Sequence, residues 1–148
     1  MIVKKLITKE KELEILGATL LSIEEVETLL TQEERKYKNW WWLRSPGIGS
    51  DHAAFVYDFG FVNTLGYHID YTFGTVRPTL IIKLNSNFKI GDIFIFNNKK
   101  FKIISKEYAF CLEDIKKTYF SKYNNNYEKS NIKKYVDNWF KEAKSCIL

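Results

Sequence analysis

Residues 40–46 read WWWLRSP, and this run constrains the fold more than any other stretch of the sequence. Neither a helix nor a strand requires three adjacent indoles. In an extended strand, Trp40 and Trp42 lie on one side of the chain, because successive side chains point to opposite faces. Trp41 and Leu43 then lie on the other side. At most one face of such a strand can meet solvent, so we expect at least one indole in the core.

The length and composition predict one globular domain. The chain has 148 residues, of which 45% are hydrophobic and 16% aromatic, so it can bury a substantial core. We predict a single domain over residues 1–148, with a change of composition near residue 85. Residues 1–84 are predicted to hold a helix and the strands around the tryptophans. Residues 85–148 are predicted to hold a β-hairpin and a C-terminal amphipathic helix.

The net charge of +5 is concentrated in the second section. Residues 1–84 have 10 Lys and Arg against 11 Asp and Glu, whereas residues 85–148 have 13 against 7. A basic surface can attract nucleic acid or an acidic protein, and the simpler interpretation is a solvated lysine face. Arginine is absent from residues 85–148, which argues against sequence-specific DNA recognition. The candidate basic patch comprises Lys99, Lys100, Lys133 and Lys134.

Targeting and cysteine signals are weak. The N-terminal residues lack the apolar stretch of a signal peptide, and no apolar run approaches the roughly 18 residues of a membrane span. Cys111 and Cys146 make a poor disulfide framework and are expected to be reduced thiols. We therefore expect a cytoplasmic protein without a membrane partner.

Three helical segments are predicted from caps and periodicity. Residues 8–17 begin with a capping threonine, place Leu13 and Leu16 on one face and end at Gly17. Ser22 and Glu25 have capping-box spacing before a second helix, and the TQEE sequence at 31–34 repeats that box. In the last helix, which Ser130 caps, the apolar positions follow helical spacing: Ile132, Tyr135, Val136, Trp139, Phe140 and Ala143.

Short strands separated by turns are predicted elsewhere. The segments are 53–57, 66–69, 75–84, 91–96, 100–105 and 108–113. Pro78 has no backbone donor, so its strand begins there or lies at an edge. Asparagines at 97 and 98 predict a hairpin turn, with Ile93 and Ile95 sharing one face of the strand before it.

Three boxes give the chain a specific resemblance. WWLRSPG at 41–47, AAFVYDFG at 53–60 and GTVRPTLIIKL at 74–84 resemble a bacterial and phage domain family of unknown function. Thr75 and Thr79 depart from that family's G-V-R-P-A-L pattern. The hairpin and last helix of the second section resemble the same family, in circularly permuted order. The resemblance implies a structural role for the signature residues Trp41, Trp42, Arg44 and Arg77.

The resemblance also implies a fold. The family is similar to C-type-lectin-like domains, so we expect an α+β domain with a mixed or antiparallel sheet core flanked by helices. The calcium motifs of lectins are missing from the sequence, which argues against calcium-dependent sugar binding. Arg44 and Arg77 are expected beside backbone carbonyls or the carboxylates of Asp51, Asp58 or Asp70, with recognition of a carboxylate or phosphate as the alternative.

Signals for catalysis are missing. His52 and His68 have no metal-ligand spacing with cysteine or with each other, so no metal or cofactor is predicted. His52 beside Asp51 is compatible with an acid–base pair, but a solvated loop histidine is the commoner case. Cys111 lies in an apolar strand and is expected to be inert. We therefore predict no enzyme activity and no catalytic residue.

A binding surface is predicted within residues 57–74. This segment combines aromatic, polar and glycine residues of the types enriched at interfaces. If its strands alternate, half of these side chains are core. The candidate partner-binding residues are Tyr57, Asp58, Phe59, Asn63, Tyr67, His68 and Tyr71.

Three functions remain open from the sequence. The first is a non-catalytic binding protein of a phage or mobile element that inhibits a host protein or nucleoprotein complex, such as a CRISPR effector. The second is a carbohydrate- or peptide-binding receptor module of a phage particle or cell surface. The third is a nonspecific nucleic-acid binder that acts through the lysines. The sequence does not predict an oligomeric state.

Overall fold

The tryptophan run lies in the middle of a two-sheet structure. The computed structural model describes residues 3–5, as backbone only, and residues 13–145. Its strands are β1 (Val3–Lys5), β2 (Glu14–Thr19), β3 (Trp41–Pro46), β4 (His52–Val56), β5 (Val62–His68), β6 (Thr75–Val76), β7 (Thr79–Lys83), β8 (Ile93–Phe96), β9 (Lys99–Ile103), β10 (Tyr108–Cys111) and β11 (Lys116–Lys117). Its helices are α1 (Ile23–Leu29), α2 (Gln32–Arg35), a 3₁₀ turn (Tyr127–Lys129) and α3 (Asn131–Ser145).

The first sheet has the order β1-β8-β9-β10-β7-β2 within the described residues. The predicted hairpin is confirmed: β8 and β9 pair antiparallel, and Asn97 and Asn98 adopt positive φ angles of 49° and 63°. This backbone suits a two-residue turn. Ile93 and Ile95 share one face of β8, as alternation predicts, but the fully buried face is that of Phe94 and Phe96, since Ile95 is 37% exposed. Strands from both predicted sections form this sheet, so the two sections share one compact domain.

The second sheet joins the three sequence boxes. Its order is β11-β6-β3-β4-β5 within the described part of the chain. The tryptophan box forms β3, which pairs parallel with β6 and antiparallel with β4. Trp41 is therefore opposite Thr75 of the third box on one side and Val56 of the second box on the other. Boxes that are separated in sequence are neighbouring strands in the fold.

The predicted first helix is wrong where the structure describes it. Residues 14–19 form strand β2, paired antiparallel with β7, and residues 8–12 lie outside the described residues. Leu13 is 5% exposed and Leu16 57%, so the two leucines do not share a face. Gly17 lies within the strand, beside a register shift, and does not end a helix. Alternation of period two, together with pairing to β7, outweighs the capping signal.

The other predicted helices are confirmed. Both capping boxes form: the side chains of Ser22 and Thr31 accept from the backbone of Glu25 and Glu34, and each glutamate accepts in return. Ser130 Oγ accepts from the Lys133 N–H at the start of α3. The apolar face of α3 is buried or half-buried as the spacing predicts, and Trp139 and Phe140 pack on Phe96 of the first sheet.

Both sides of β3 face protein. Trp42 packs in a cluster with Phe55 and Val76, and Trp40 lies at its margin. Trp41 and Leu43 pack in a different cluster. The expected alternation is confirmed, and the burial exceeds the prediction, since Trp41, Trp42 and Leu43 are each at most 1% exposed.

Two further expectations concern the cysteines and membranes. Cys111 is a buried free thiol, and burial raises its pKa to about 12, which fits the expected inert role. Cys146 lies outside the described residues. Among the described residues, none of the helices combines the length and apolarity needed to cross a bilayer.

Candidate functional site

The tryptophan box and the third box are joined by hydrogen bonds and close packing. Trp42 Nε1 donates to the Thr118 carbonyl at 2.9 Å. The backbone N–H and the hydroxyl of Thr75 both donate to the Trp40 carbonyl, at 3.1 and 2.6 Å. Gly74 lies against the two indoles so closely that a Cβ would be 2.6 Å from Trp42 Cε2 and 2.8 Å from Trp40 Cη2. These contacts make the boxes a structural unit.

Arg44 ties the tryptophan box to helix α1. Its guanidinium donates to both carboxylate oxygens of Glu25 and to the Leu20 carbonyl. Glu25 also accepts from the Ser22 N–H and the Tyr108 hydroxyl. The expected backbone carbonyl and carboxylate partners of Arg44 are therefore confirmed, but the carboxylate is that of Glu25 and not of Asp51, Asp58 or Asp70, because the capping glutamate of α1 faces the strand end.

Hydrogen bonding sets the ionisation of Glu25. Burial alone would raise the pKa of this carboxyl, but the hydrogen bonds from Arg44, Ser22 and Tyr108 outweigh burial and lower it. The pKa of Glu25 in the folded state lies below its value in the unfolded state. The stabilisation from the ionised Glu25 is therefore fully present at pH values above the unfolded-state pKa. It is lost as the pH falls through the folded pKa.

Glu25→Gln should lower the free energy of unfolding by about 2 kcal/mol at pH 7, because a half-buried charge-assisted network loses its anion. The difference from the natural protein should shrink between pH 5 and pH 3. Urea unfolding at several pH values measures it. The exposed neighbour Glu24 provides the control, since Glu24→Gln should change stability by about 0.5 kcal/mol or less. An equal loss in both variants would contradict the assigned network.

Arg77 is enclosed by aromatic rings. It is 2% exposed, and its Cζ lies 4.3 Å from the ring centroid of Tyr37, 4.8 Å from that of Trp41 and 4.4 Å from that of Phe110. Among the described residues, its Nε and Nη1 atoms have no hydrogen-bond partner. Burial lowers the pKa of Arg77 to about 10, so it stays charged at neutral pH. The predicted pairing of Arg77 with an aspartate is wrong, because cation–π contacts hold this guanidinium.

A row of exposed and half-buried aromatic rings follows β4, β5 and the turns beside them. We call it the aromatic surface; its residues are Tyr57, Phe59, Phe61, Tyr67, Tyr71 and Phe73. The rings form one chain of contacts, in which buried Phe55 links Tyr57 at 4.8 Å to Tyr67 at 4.3 Å between ring centroids. Phe59, Phe61, Tyr71 and Phe73 are 47%, 57%, 45% and 64% exposed.

The sequence-predicted binding residues lie on or beside this surface. Asp58, Phe59, His68 and Tyr71 are exposed, and Tyr57, Asn63 and Tyr67 are half-buried. The expectation that half of them are core is wrong, because β5 forms an edge of the second sheet. Asn63 is engaged internally: its amide donates to the Tyr57 hydroxyl and accepts from the Leu65 and Gly66 N–H groups. Its role is to shape the strand end.

The charge around the aromatic surface is acidic. Residues 45–76 contain three aspartates and no glutamate, lysine or arginine. Those aspartates are Asp51, Asp58 and Asp70, and all three are exposed. The surface therefore combines aromatic rings with negative charge, although the whole chain is basic.

The two histidines meet at one end of this surface. His52 and His68 are paired across β4 and β5, with ring centroids 4.2 Å apart. His52 Nδ1 lies 2.7 Å from one carboxylate oxygen of Asp51, and His68 Nδ1 lies 3.9 Å from the other. The hydrogen bond with His52 lowers the pKa of Asp51. His52 is half-buried in a strand, so its interpretation as a solvated loop residue is wrong.

The candidate basic patch is divided between two elements. Lys99 and Lys100 lie on β9, and Lys133 and Lys134 on α3. Lys133 pairs with Asp137 at 2.7 Å, and Lys102 of β9 pairs with Glu34 at 2.9 Å. The pair with Asp137 partly neutralises Lys133, whereas Lys102 is not a member of the candidate patch.

Sequence reasoning missed two exposed side chains of the site region, Phe73 and Leu65, the latter 62% exposed. Phe73 precedes a glycine and lies two residues after Tyr71, which is the signal that marks it as part of the same loop. Leu65 gives no such signal, because its exposure depends on the edge position of β5.

The comparison with family models assigns the chain to a family without a known activity. A family model described as a domain of unknown function (DUF6273) matches residues 9–84. The chain belongs to this family. All three boxes lie within the matched residues. Neither the curated proteins nor the solved structures contain a match to the chain.

Proposed function

We propose that this protein is a non-catalytic binding protein whose aromatic surface takes a positively charged surface of a protein partner. The observation that carries the proposal is a set of exposed and half-buried rings, joined through buried Phe55, within an acidic segment. Aromatic side chains supply large contact area at low entropic cost, and their faces attract lysine and arginine. The exposed aspartates add electrostatic complementarity, which favours a cationic partner and disfavours nucleic acid at this surface.

Ring geometry favours a protein over a sugar. Tyr57 and Phe59 stack at an interplanar angle of 13°, and Tyr67 and Tyr71 at 12°. Each ring in these pairs turns one face toward its neighbour. A sugar platform needs flat faces open to solvent, whereas a protein partner can also use ring edges. The carbohydrate-binding function is therefore the second candidate, supported by exposed Phe73 and Tyr71.

The proposal also covers the fold family and the kind of partner. We propose that the two-sheet domain is a C-type-lectin-like variant and that residues 85–148 carry family elements in permuted order, on the basis of the sequence boxes alone. The proposed partner is a host defence complex, such as a CRISPR effector, inhibited by a protein from a phage or mobile element. The nucleic-acid-binding surfaces of such complexes are basic, which matches the acidic aromatic surface.

Replacing exposed rings should abolish partner capture without unfolding the protein. Phe59→Ser and Tyr71→Ser should each weaken binding at least about 10-fold, as interface anchors do. The experiment is a quantitative pull-down from a bacterial lysate, repeated with the purified captured protein. Unchanged thermal unfolding would show that the variants remain folded.

The control is Ile90→Ser, because Ile90 is 58% exposed and lies outside the aromatic surface. It should leave binding unchanged. Lys100→Ser with Lys134→Ser tests the lysine surface in the same assay. The proposal fails if the lysine variant loses the partner and the aromatic variants keep it, or if the captured protein presents no basic surface.

A further inference from the structure

The chain's two histidines, 16 positions apart in sequence, converge on a single carboxylate. One potential metal-binding atom from each of Asp51, His52 and His68 lies within 4.8 Å of the others. Spacing along the chain gives no sign of this group, since strand pairing across β4 and β5 creates it. Two imidazoles and a carboxylate are a donor set that transition metals take in proteins.

Hydrogen bonds fix the backbone beneath these side chains before any ligand arrives. The carbonyl of Asp51 accepts from the Ile69 N–H at 2.9 Å. The carbonyl of His52 accepts from the Gly47 N–H at 2.7 Å and from the Asn125 side chain at 2.8 Å. A backbone fixed by hydrogen bonds loses little conformational freedom when a ligand binds, so the backbone of this group is preorganised.

We propose that Asp51, His52 and His68 bind a divalent transition-metal ion of the zinc class, with water completing the coordination. Tetrahedral bonds of about 2.0–2.1 Å place neighbouring ligand atoms about 3.3 Å apart. The observed nitrogen–oxygen separations of 2.7 and 3.9 Å lie on either side of that value. Small rotations of two exposed side chains therefore suffice to form the site.

The ligand chemistry selects among ions. Imidazole nitrogen suits Zn²⁺, Ni²⁺ and Cu²⁺, whereas Mg²⁺ and Ca²⁺ prefer oxygen donors. Residues 45–76 carry no lysine or arginine, so no cation of this segment opposes the metal. The site goes beyond the protein-binding function proposed above, because it lies at one end of the aromatic surface and requires no partner protein.

Zinc titration of the tag-free protein tests the site. Because the chain has only two histidines, the imidazole region of a long-range ¹H–¹⁵N spectrum contains two residues, and Zn²⁺ should shift both at one equivalent per chain. His68→Ala and Asp51→Asn should each weaken zinc binding at least about 10-fold in calorimetry. Both side chains are more than 60% exposed, so these variants should remain folded.

The matched control is Asp70→Asn, an exposed carboxylate two residues from His68. It should leave zinc affinity unchanged. The proposal is overturned if millimolar Zn²⁺ shifts neither imidazole. It is also overturned if His68→Ala binds zinc as tightly as the natural protein, because the metal would then lie elsewhere. A third contradicting result is that Asp70→Asn weakens zinc binding as much as Asp51→Asn does.

Discussion

Gly74→Ala should lower the free energy of unfolding by about 3–5 kcal/mol, a large part of the 5–15 kcal/mol typical of a domain. A methyl group at this position meets the ring atoms of Trp42 and lies 2.8 Å from Trp40 Cη2. Trp42 cannot withdraw, because it is fully buried and its Nε1 is bonded to the Thr118 carbonyl. The cost is steric, and the backbone must shift to relieve it.

Urea unfolding of Gly74→Ala measures this cost directly. Gly17→Ala is the matched control, because a Cβ there meets only the tip of Ile81 at an ordinary 3.6 Å. We expect that control to change stability by about 0.5 kcal/mol or less. If Gly74→Ala is as stable as Gly17→Ala, the close packing of the third box on the tryptophan box is wrong.

Trp42→Ala should cost about 3–5 kcal/mol, since it removes a large, fully buried side chain and leaves a cavity. The loss includes edge contacts with Trp40 and Phe120, whose ring centroids lie 4.8 and 5.7 Å away. It also leaves the Thr118 carbonyl without its indole donor. Denaturant unfolding followed by circular dichroism measures the change.

Phe73→Ala provides the comparison for Trp42→Ala. Phe73 is 64% exposed, so its removal should change stability by about 0.5 kcal/mol or less. Partner binding should respond differently. Phe73→Ala should weaken it directly, whereas Trp42→Ala should affect it only by destabilising the fold. A Trp42→Ala protein that stays fully stable but loses its partner would show that the tryptophan box is a binding site.

Local sequence signals predicted the elements whose causes are local. The two capping boxes and the helical spacing of α3 involve residues three or four apart, and the Asn97–Asn98 turn needs only its own backbone. The alternation of Trp41 and Trp42 between two clusters follows from strand geometry alone.

The failures concern contacts between distant residues. Strand β2 depends on pairing with β7, more than 60 residues later, and this pairing outweighs local helix signals. Arg44 meets Glu25 because α1 packs against the end of β3, which no spacing rule encodes. The cluster of Asp51, His52 and His68 likewise exists only because β4 and β5 are in register.

The binding site predicted within residues 57–74 stays a prediction. All six residues of the aromatic surface lie within this segment, whose composition suggested a binding face. Their exposure depends on the edge position of β5, which the sequence does not show. The buried environment of Arg77 was also beyond sequence reasoning, since three rings from three separate segments surround it.

Hydrogen–deuterium exchange of the complex with the captured partner tests the central claim most directly. The account predicts that partner binding slows hydrogen exchange in peptides covering residues 57–73. The exchange rates of peptides covering residues 99–102 and 131–141 should stay unchanged. Protection confined to the lysine-bearing segments of β9 and α3, with residues 57–73 exchanging as in the free protein, would contradict it.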